Sequence, residues 1–558
     1  MASIFAREFT PDVVVVGAGL AGLVTACELL DAGARVTIVD QESAGNLGGQ
    51  AWWSPGGLFL VGTPEQRRLG VKDSLDVALQ DWFGSAGFDR PEDYWPRKWA
   101  RAFVEWAASD ARPWLSERGV KLFPIVGWSE RGGAGSIGPG NSVPRFHRVR
   151  GTGPALLAPF IERVSAAAAV GRAELRFRHQ VDHLIVEMGA VRGVSGSVLI
   201  DDAAPRGASS SREVVGAFDI RAGAVVVASG GFGGRREAVE SAWPARLGAV
   251  PRTILAGVPA FVDGRMLDIA EFSGAHLIHE DRLWQYADGV SHPSGVWPGH
   301  GVRLVTGPSP LWFDARGHRF PASVWPGSDS LGASTHLGAT GSDHSWLVMT
   351  RRIFDKEVFA AQGDLTVDFT EKDLALVAQR LRRHAPRPVD AIRDAGLDVI
   401  CADSVDELVV GMAAMEPETT LDVERVRAEV RAHDREVASG FGKDAQIMAT
   451  RHARTYRGDR LMGVSSPHAF LDPRNGPLMA IRVRSLTRTS LGGIETNLDC
   501  EVLTEDGVPL PGLYAVGEAA GFGGGGMHGY RALDGGFLSG CVFTGHRAGQ
   551  VLAGRLRH

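Results

Sequence analysis

Gly17, Gly19 and Gly22 occupy the run Gly17-Ala18-Gly19-Leu20-Ala21-Gly22, directly after the apolar stretch Val13-Val14-Val15-Val16. This spacing suits the binding of a dinucleotide pyrophosphate. The first glycine permits a tight turn, the second lets backbone approach the phosphates, and the third lets a helix pack closely on a strand. A helix that opens here turns free N–H groups and its positive end toward the phosphates. Asp40 ends the next apolar run, where a carboxylate can accept from ribose hydroxyls. Such a glycine run is weak evidence by itself. Here it follows a strand, opens a helix and is answered by an acid at the end of a second strand, and that context predicts a bound dinucleotide. The motif alone does not choose between NAD(P) and FAD.

Other chemistries find no support. Cys27, Cys401, Cys500 and Cys541 are far apart and form no C-x-x-C pair. No His/Cys/Asp cluster has metal-ligand spacing, so no metal is expected. No G-x-S-x-G follows a strand. The net charge is -6, from 59 basic and 65 acidic residues, so no basic field exists to hold nucleic acid. No run of about 18 apolar residues occurs, so no transmembrane segment is expected. The N-terminus lacks a cleavable apolar region behind a basic start. A cytoplasmic location is the expectation.

The elements that must position these residues follow from the pattern. Residues 12–16 are β-branched and too few for a helix, so they read as a buried parallel strand. Helix formers run from Leu23 to Ala32, with Gly33 as a C-cap, and residues 35–40 form a second strand. Residues 72–120 and 154–168 read as helical. Residues 175–200 read as strands broken at Gly189 and Gly196, and 224–228 as a buried strand; 265–273 look helical. Residues 276–345 are rich in Trp, Pro, Gly and His and show few periodic segments. Residues 371–440 are helical again, with Ser404-x-x-Glu407 as a capping box. Residues 513–516 form a strand leading into Gly517-Glu518, and a helix follows Asp534. A chain of 558 residues has room for about three units. The fold class is α/β. A Rossmann-like nucleotide-binding domain is split between 1–275 and 477–558, with an α+β capping domain at 276–476.

Three further segments choose FAD. Ala228-Ser229-Gly230-Gly231 resembles the Ala-Thr-Gly-Gly strand end of many FAD enzymes. Residues 511–518 resemble a second FAD signature, in which Gly517 admits the cofactor and Glu518 holds its ribityl or ribose end. Gly48-Gly49-Gln50-Ala51 through Gly56-Gly57 resembles the glycine loop beside the isoalloxazine. No second G-x-G-x-x-G follows a strand, so a separate NAD(P)H domain is not expected. With residues 491–497, His528-Gly529 and residues 545–549, these segments resemble the superfamily of fumarate reductases, succinate dehydrogenase flavoprotein subunits and 3-ketosteroid dehydrogenases. The nearest likeness is to bacterial proteins called FAD-binding dehydrogenases. The resemblance runs from Val13 to Gly549. It implies FAD in a split domain, a cap closing over the flavin, and hydride transfer between flavin N5 and an activated carbon–carbon bond. It adds Gln41, Val181, Gly535, Gly536 and Leu538 to the cofactor-binding set, with the helix start at Gly535-Gly536 facing the flavin pyrimidine.

The departures narrow the chemistry. In the fumarate-reducing branch an arginine follows His-Gly by three positions; Ala532 stands there, with Arg531 one place early. The histidine of that branch's Gln-Tyr-His segment falls on Ala287, and the one before its Thr-Met-Gly-Gly turn falls on Thr489. A dicarboxylate needs two positive anchors, because a buried carboxylate is costly unpaired. Fumarate and succinate are therefore not the expected substrates. The histidine that bonds flavin covalently in the membrane-bound branch falls on Gln50, and an amide cannot form that bond, so FAD is expected to be non-covalent. Trp52, Trp53, Trp284, Tyr286, Trp297, Trp312 and Trp325 read either as core and lid packing or as a slot for a steroid-like or terpenoid substrate. Tyr530, Tyr286, Arg531 and His528 are the candidate catalytic groups, a phenol serving as donor to a ketone or as base. The expected activity is α,β-dehydrogenation of a small apolar ketone, with the electron acceptor unassigned. The alternatives are reduction of an enone or enoate, and a flavin-binding protein without catalysis.

Overall fold

Val13–Val16 lie at the centre of a six-stranded sheet, fully enclosed as four consecutive valines must be. The computed structural model describes residues 9–133, 140–366, 370–373, 375, 378, 387–533 and 535–557. Val36–Asp40 and Ala224–Val227 flank the central strand in parallel register, with Val13 opposite both Val36 and Ala224. Ala173–Phe177 extends one side, and Pro509–Ala515 and Glu501–Leu503 extend the other. Only a chain that returns late in sequence can place Pro509–Ala515 beside Ala224–Val227. The helices Leu20–Asp31 and Gly536–Arg555 pack on each other against this sheet. A Cβ at Gly545 would lie 2.6 Å from Ala21 O, so the contact needs glycine there. The βαβ unit, the helices between 72 and 120, and Thr152–Ala169 agree with expectation.

A second sheet of eight strands forms the other layer. Its long strand Leu478–Ser490 pairs with Leu283–Ser291, His344–Thr350, Val399–Ala402 and Leu255–Ala256. Gly301–Val305, Phe359–Ala360 and Leu311–Asp314 complete it. Leu478–Ser490 centres this sheet, and Leu255–Ala256 joins it from before residue 276. One expectation changes here. Residues 276–345, expected to hold few regular elements, contain four strands and the helix Ser330–Thr340. Leu283–Ser291 is buried on both faces and so shows no alternation.

Two local readings also change. The strand Ala190–Leu199 runs straight through Gly196, where a Cβ would overlap Gln180 O; close approach of a neighbouring strand, not a break, explains that glycine. Within 371–440, Val399–Ala402 is a strand, while Val405–Met415 and Val423–Ser439 are helices. Residues 374, 376, 377 and 379–386 of that stretch, like Asp534, lie outside the described residues. Ser404 accepts from Glu407 N at 3.2 Å, but the Glu407 carboxylate reaches Asp403 N instead of closing a box. No helix among the described residues is long and apolar enough to cross a membrane.

A buried charge ties residues 141–148 to the helix Leu75–Ala86. The Arg145 guanidinium donates to Asp73 at 2.8 and 2.9 Å, to Asp81 at 2.6 Å and to Asn141 at 2.9 Å, with no solvent exposure. Arg145→Met strands two buried carboxylates. It is expected to lower stability by about 3–5 kcal/mol, seen as a drop in the midpoint of urea unfolding.

Candidate functional site

The glycine turn is built by exclusion. Gly17 has φ +109°, and a Cβ there would lie 2.5 Å from Ala228 O. At Gly22 a Cβ would overlap the Gly17 carbonyl, so the helix Leu20–Asp31 sits closer to the strand than any side chain allows. At Gly19 a Cβ would meet nothing within 4 Å; the backbone there faces open space. Asp40 accepts from Ala18 N and Glu42 N, both at 2.8 Å. Burial pushes its carboxyl up to about 6, against the lowering effect of those two N–H donors.

A cavity of about 220 Å³ opens from this turn. Gly17, Gly19, Leu20 and Ala21 line it, with Asp40, Gln41 and Val181 toward one side. Ala228, Ser229, Gly230, Gly49, Gln50, Ala51, Gly57, Glu518, Gly535 and Leu538 also line it. Six expected residues shape the wall from behind. Ala18 holds Asp40, Gly48 N donates to Ala18 O at 2.9 Å, and Gly517 N donates to Thr544 Oγ1 at 2.9 Å. Gly22, Gly56 and Gly536 admit the Gly17 carbonyl, the Thr152 backbone and the His528 ring where a side chain would clash. Gln50 Nε2 donates to Glu518 Oε2 at 2.8 Å, and Glu518 accepts from Ser490 N at 3.0 Å. Burial raises the Glu518 carboxyl above its ordinary range.

The second sheet supplies part of the facing wall through Tyr286, Arg303, Arg488 and Thr489, and a loop, the short strand Phe146–Arg148 and the start of the C-terminal helix supply the rest. Ser129, Phe146, Tyr286, Arg303, Ala361, Arg488, Thr489, Phe522 and Phe537 line the same cavity, with Trp53 from the glycine loop. Arg303 stands 4.1 Å over the Tyr286 ring, and its guanidinium donates to Ser129 Oγ at 3.3 Å. Its Nε lies 3.5 Å from Asp288. Motif reading missed Ser129, Arg303, Ala361 and Arg488, because each sits on a different segment and only tertiary structure gathers them: strand pairing for Arg303 and Arg488, a backbone bond to Arg303 for Ala361, and the Arg303 side chain for Ser129. The one available signal was Thr489, noted for its position before a glycine turn; the arginine beside it carried none of its own.

Of the four candidate catalytic groups, the structure brings only Tyr286 to the cavity. His528 is fully buried among Trp82, Trp284, Phe522 and Phe537. Burial pushes its imidazole down to about 3, so it stays neutral and takes up no proton at working pH. Arg531 is buried in an ion pair with Asp329. Tyr530 lies under the guanidiniums of Arg282 at 4.3 Å and Arg246 at 4.4 Å, and its hydroxyl donates to Asp89 at 3.2 Å. The cause is local. Tyr530 N donates to Ala86 O at 2.8 Å, and a side chain at Gly529 would overlap that carbonyl, so the turn is pinned to the end of the helix Leu75–Ala86. Among the aromatic candidates, Trp53 lines the cavity, Trp297 stacks on His300 behind it at 3.4 Å, and Trp312 stacks on Phe320 in the second sheet's core. Among the described residues, no group of three or more His, Cys, Asp or Glu is placed to hold a metal ion.

One crevice therefore combines a glycine turn, a helix N-terminus, an acid at the end of the second strand and a second glycine-lined wall. The sequence profile described as "FAD binding domain" matches residues 12–538. The chain belongs to this family. It is 53% identical over 554 residues to a KsdD-like steroid dehydrogenase of Mycobacterium tuberculosis (strain ATCC 25618 / H37Rv), covering 99% of this chain and 97% of that protein. It is 54% identical over 527 residues to a KsdD-like steroid dehydrogenase of Mycolicibacterium smegmatis, covering 94% and 96%. The fold is that of the 3-ketosteroid Δ1-dehydrogenase from Sterolibacterium denitrificans, at TM-score 0.65 and 17% identity, covering 98% of this chain and 100% of that one.

The residues present fit FAD: the backbone at Gly19 faces open space in which phosphate oxygens can approach, and the Asp40 carboxyl lines the same cavity, where it can accept from ribose hydroxyls. Because the Asp40 carboxyl is pushed up to about 6, it is protonated below that pH and loses acceptor strength. FAD affinity is expected to rise as pH increases through about 6 and to level off above about 7. Asp40→Asn should bind FAD more weakly and flatten that profile, as measured by equilibrium titration of apoprotein with FAD.

Proposed function

We propose that the protein is an FAD-dependent dehydrogenase acting on CH–CH bonds, and that it introduces unsaturation beside the ketone of an apolar, steroid-like substrate. The carrying observation is that Tyr286 and the glycine-lined crevice share one cavity. The names of the relatives at 53% and 54% identity support the substrate class. Gly17, Gly19, Asp40, the Ala228–Gly230 turn and the Gly48–Gly57 loop are assigned to hold FAD. Dehydrogenation breaks two adjacent C–H bonds: bound FAD would supply the two-electron acceptor for the hydride of one, and the proton of the other, beside the ketone, passes to a base and from there to solvent.

The chain's own residues bind and orient the ketone. The Tyr286 hydroxyl donates to the carbonyl oxygen, which acidifies the adjacent C–H, and the Arg303 guanidinium beside the ring favours the negative charge that develops there. Trp53, Phe146, Phe522 and Phe537 give the substrate an apolar wall and keep water from the reacting carbons. Gln50 is an amide already engaged with Glu518, which supports non-covalent FAD. A cytoplasmic site of action accords with the thiol-only cysteines, none of which pairs with another among the described residues.

Two tests follow from this reading. Acid precipitation is expected to release FAD into the supernatant, leaving colourless protein; flavin retained in the pellet would mean a covalent bond. Tyr286→Phe should keep its FAD yet lose about 10²–10⁴ of the rate at which saturated 3-ketosteroids bleach the flavin under anaerobic conditions. Tyr530→Phe should keep most of that rate. Oxidation of pre-reduced protein by enones, with no bleaching by saturated ketones, would reassign it as a reductase.

A further inference from the structure

The pairing of Leu478–Ser490 with Leu283–Ser291 shifts register twice, and at one of these places the extra residue lies on Leu478–Ser490. Trp284 pairs with Thr489 and Gln285 with Thr487, so Arg488 has no residue opposite it: it is the extra residue of a β-bulge. In a regular strand, Arg488 and Thr489 would point to opposite faces. Both line the cavity instead. The irregularity aims a guanidinium into a space otherwise walled largely by apolar and small residues.

That guanidinium is poorly answered by the protein. Its Nη1 donates to the Ala361 carbonyl at 3.1 Å, and among the described residues no carboxylate is paired with it. The carboxylates that line the cavity are engaged elsewhere. Glu518 holds Gln50 and Ser490, Glu42 holds Arg212 and Ser210, Asp40 holds two backbone N–H groups, and Asp263 accepts from Gln41 and Arg265 N. Arg303, by contrast, has Asp288 beside it. Ala361 links the two arginines, since its N donates to Arg303 O at 2.9 Å while its carbonyl accepts from Arg488. Arg488 thus stands on the second-sheet wall, next to Arg303, whose guanidinium stacks on Tyr286. A half-buried guanidinium with a planar fork of donors and one neutral acceptor is built to receive a carboxylate in bidentate fashion.

We propose that the substrate carries a carboxylate, which Arg488 pairs in the cavity wall, so that the enzyme selects keto acids over neutral ketones. This inference rests on the ketone-dehydrogenase reading and adds the substrate's charge to it.

The test uses the full-length FAD-loaded protein and two ligands on one skeleton: 4-androstene-3,17-dione, and its analogue with a carboxylate in place of the 17-ketone. Binding is read as perturbation of the oxidised flavin spectrum, and reaction as anaerobic bleaching. The carboxylate is expected to bind about tenfold or more tightly than the dione, with an affinity that weakens as salt rises. In Arg488→Gln that preference should shrink about tenfold, and Arg488→Lys should restore part of it. Equal affinities in the unaltered protein would overturn the proposal, as would a preference that survives Arg488→Gln. Loss of FAD from Arg488→Gln would also overturn it, by assigning the charge to the cofactor. Bleaching by the dione with no preference for the acid sinks this proposal alone. Silence with both ligands sinks the ketone reading as well.

Discussion

A side chain at residue 17 or 22 has no room, and the site depends on that. The Gly17 backbone lies against Ala228 O, and Gly22 lies against the Gly17 carbonyl. Their missing Cβ atoms let the parallel strands Val36–Asp40, Val13–Val16 and Ala224–Val227 end side by side. Ligands bind where such carboxyl ends open into one crevice. The C-terminal helix obeys the same constraint. Gly545 and Gly549 bring Gly536–Arg555 against Leu20–Asp31 closely enough for Thr25 Oγ1 to donate to Gly545 O at 3.2 Å. The contacts of Gly17 with Ala228, of Gly545 with Ala21 and of Gly549 with Glu28 join segments far apart in sequence, while that of Gly22 with Gly17 closes a local turn. A methyl group at any of them would force these packed segments apart.

This explains which parts were legible in the sequence. A glycine that permits close approach leaves a local signature, because the turn, the helix start and the acid are within a few tens of residues. Most of the glycine-rich segments read as cofactor-binding do converge on the cavity. The facing wall has no such signature. Ser129, Tyr286, Arg303, Ala361 and Arg488 come from five segments; the second sheet brings Tyr286, Arg303 and Arg488 together, Ala361 follows its edge strand, and Ser129 is met by the Arg303 side chain. Strands buried on both faces lose the alternation that reveals strands, which hid most of the second sheet. Motif likeness was least informative for Tyr530, Arg531 and His528. All three follow a glycine turn that resembles an active-site loop, yet the turn is docked on Ala86 and its side chains are consumed by packing and ion pairing.

Those ion pairs have a common use. Arg145 with Asp73 and Asp81, Arg282 with Asp93, and Arg531 with Asp329 are all buried. A buried pair adds little net stability over an apolar packing of equal volume, but breaking it is costly, so it fixes geometry more than it adds stability. Each holds an irregular segment: residues 141–148 behind Phe146, residues 279–282 at the entry to Leu283–Ser291, and residues 328–330 below the turn at 531. Arg488 differs from them in having a backbone carbonyl where they have carboxylates. The protein places carboxylates beside several of its buried arginines, although Arg178 is held by backbone carbonyls and Ser210. Arg488 has a single backbone carbonyl as its acceptor, and it lines the cavity.

The strand that carries Arg488 also couples the two layers. Leu478–Ser490 centres the second sheet, and its last residue, Ser490, donates from both N and Oγ to Glu518 beside the first sheet. Glu518 in turn takes the Gln50 amide from the glycine loop. A shift of this strand by one residue would therefore move Arg488 and Thr489 out of the wall and break the tie to Glu518 together. The bulge helps fix that register, because sliding the strand would move the extra residue out of its place. Positioning of the substrate-facing wall and closure of the cofactor-facing wall are then consequences of the same backbone irregularity.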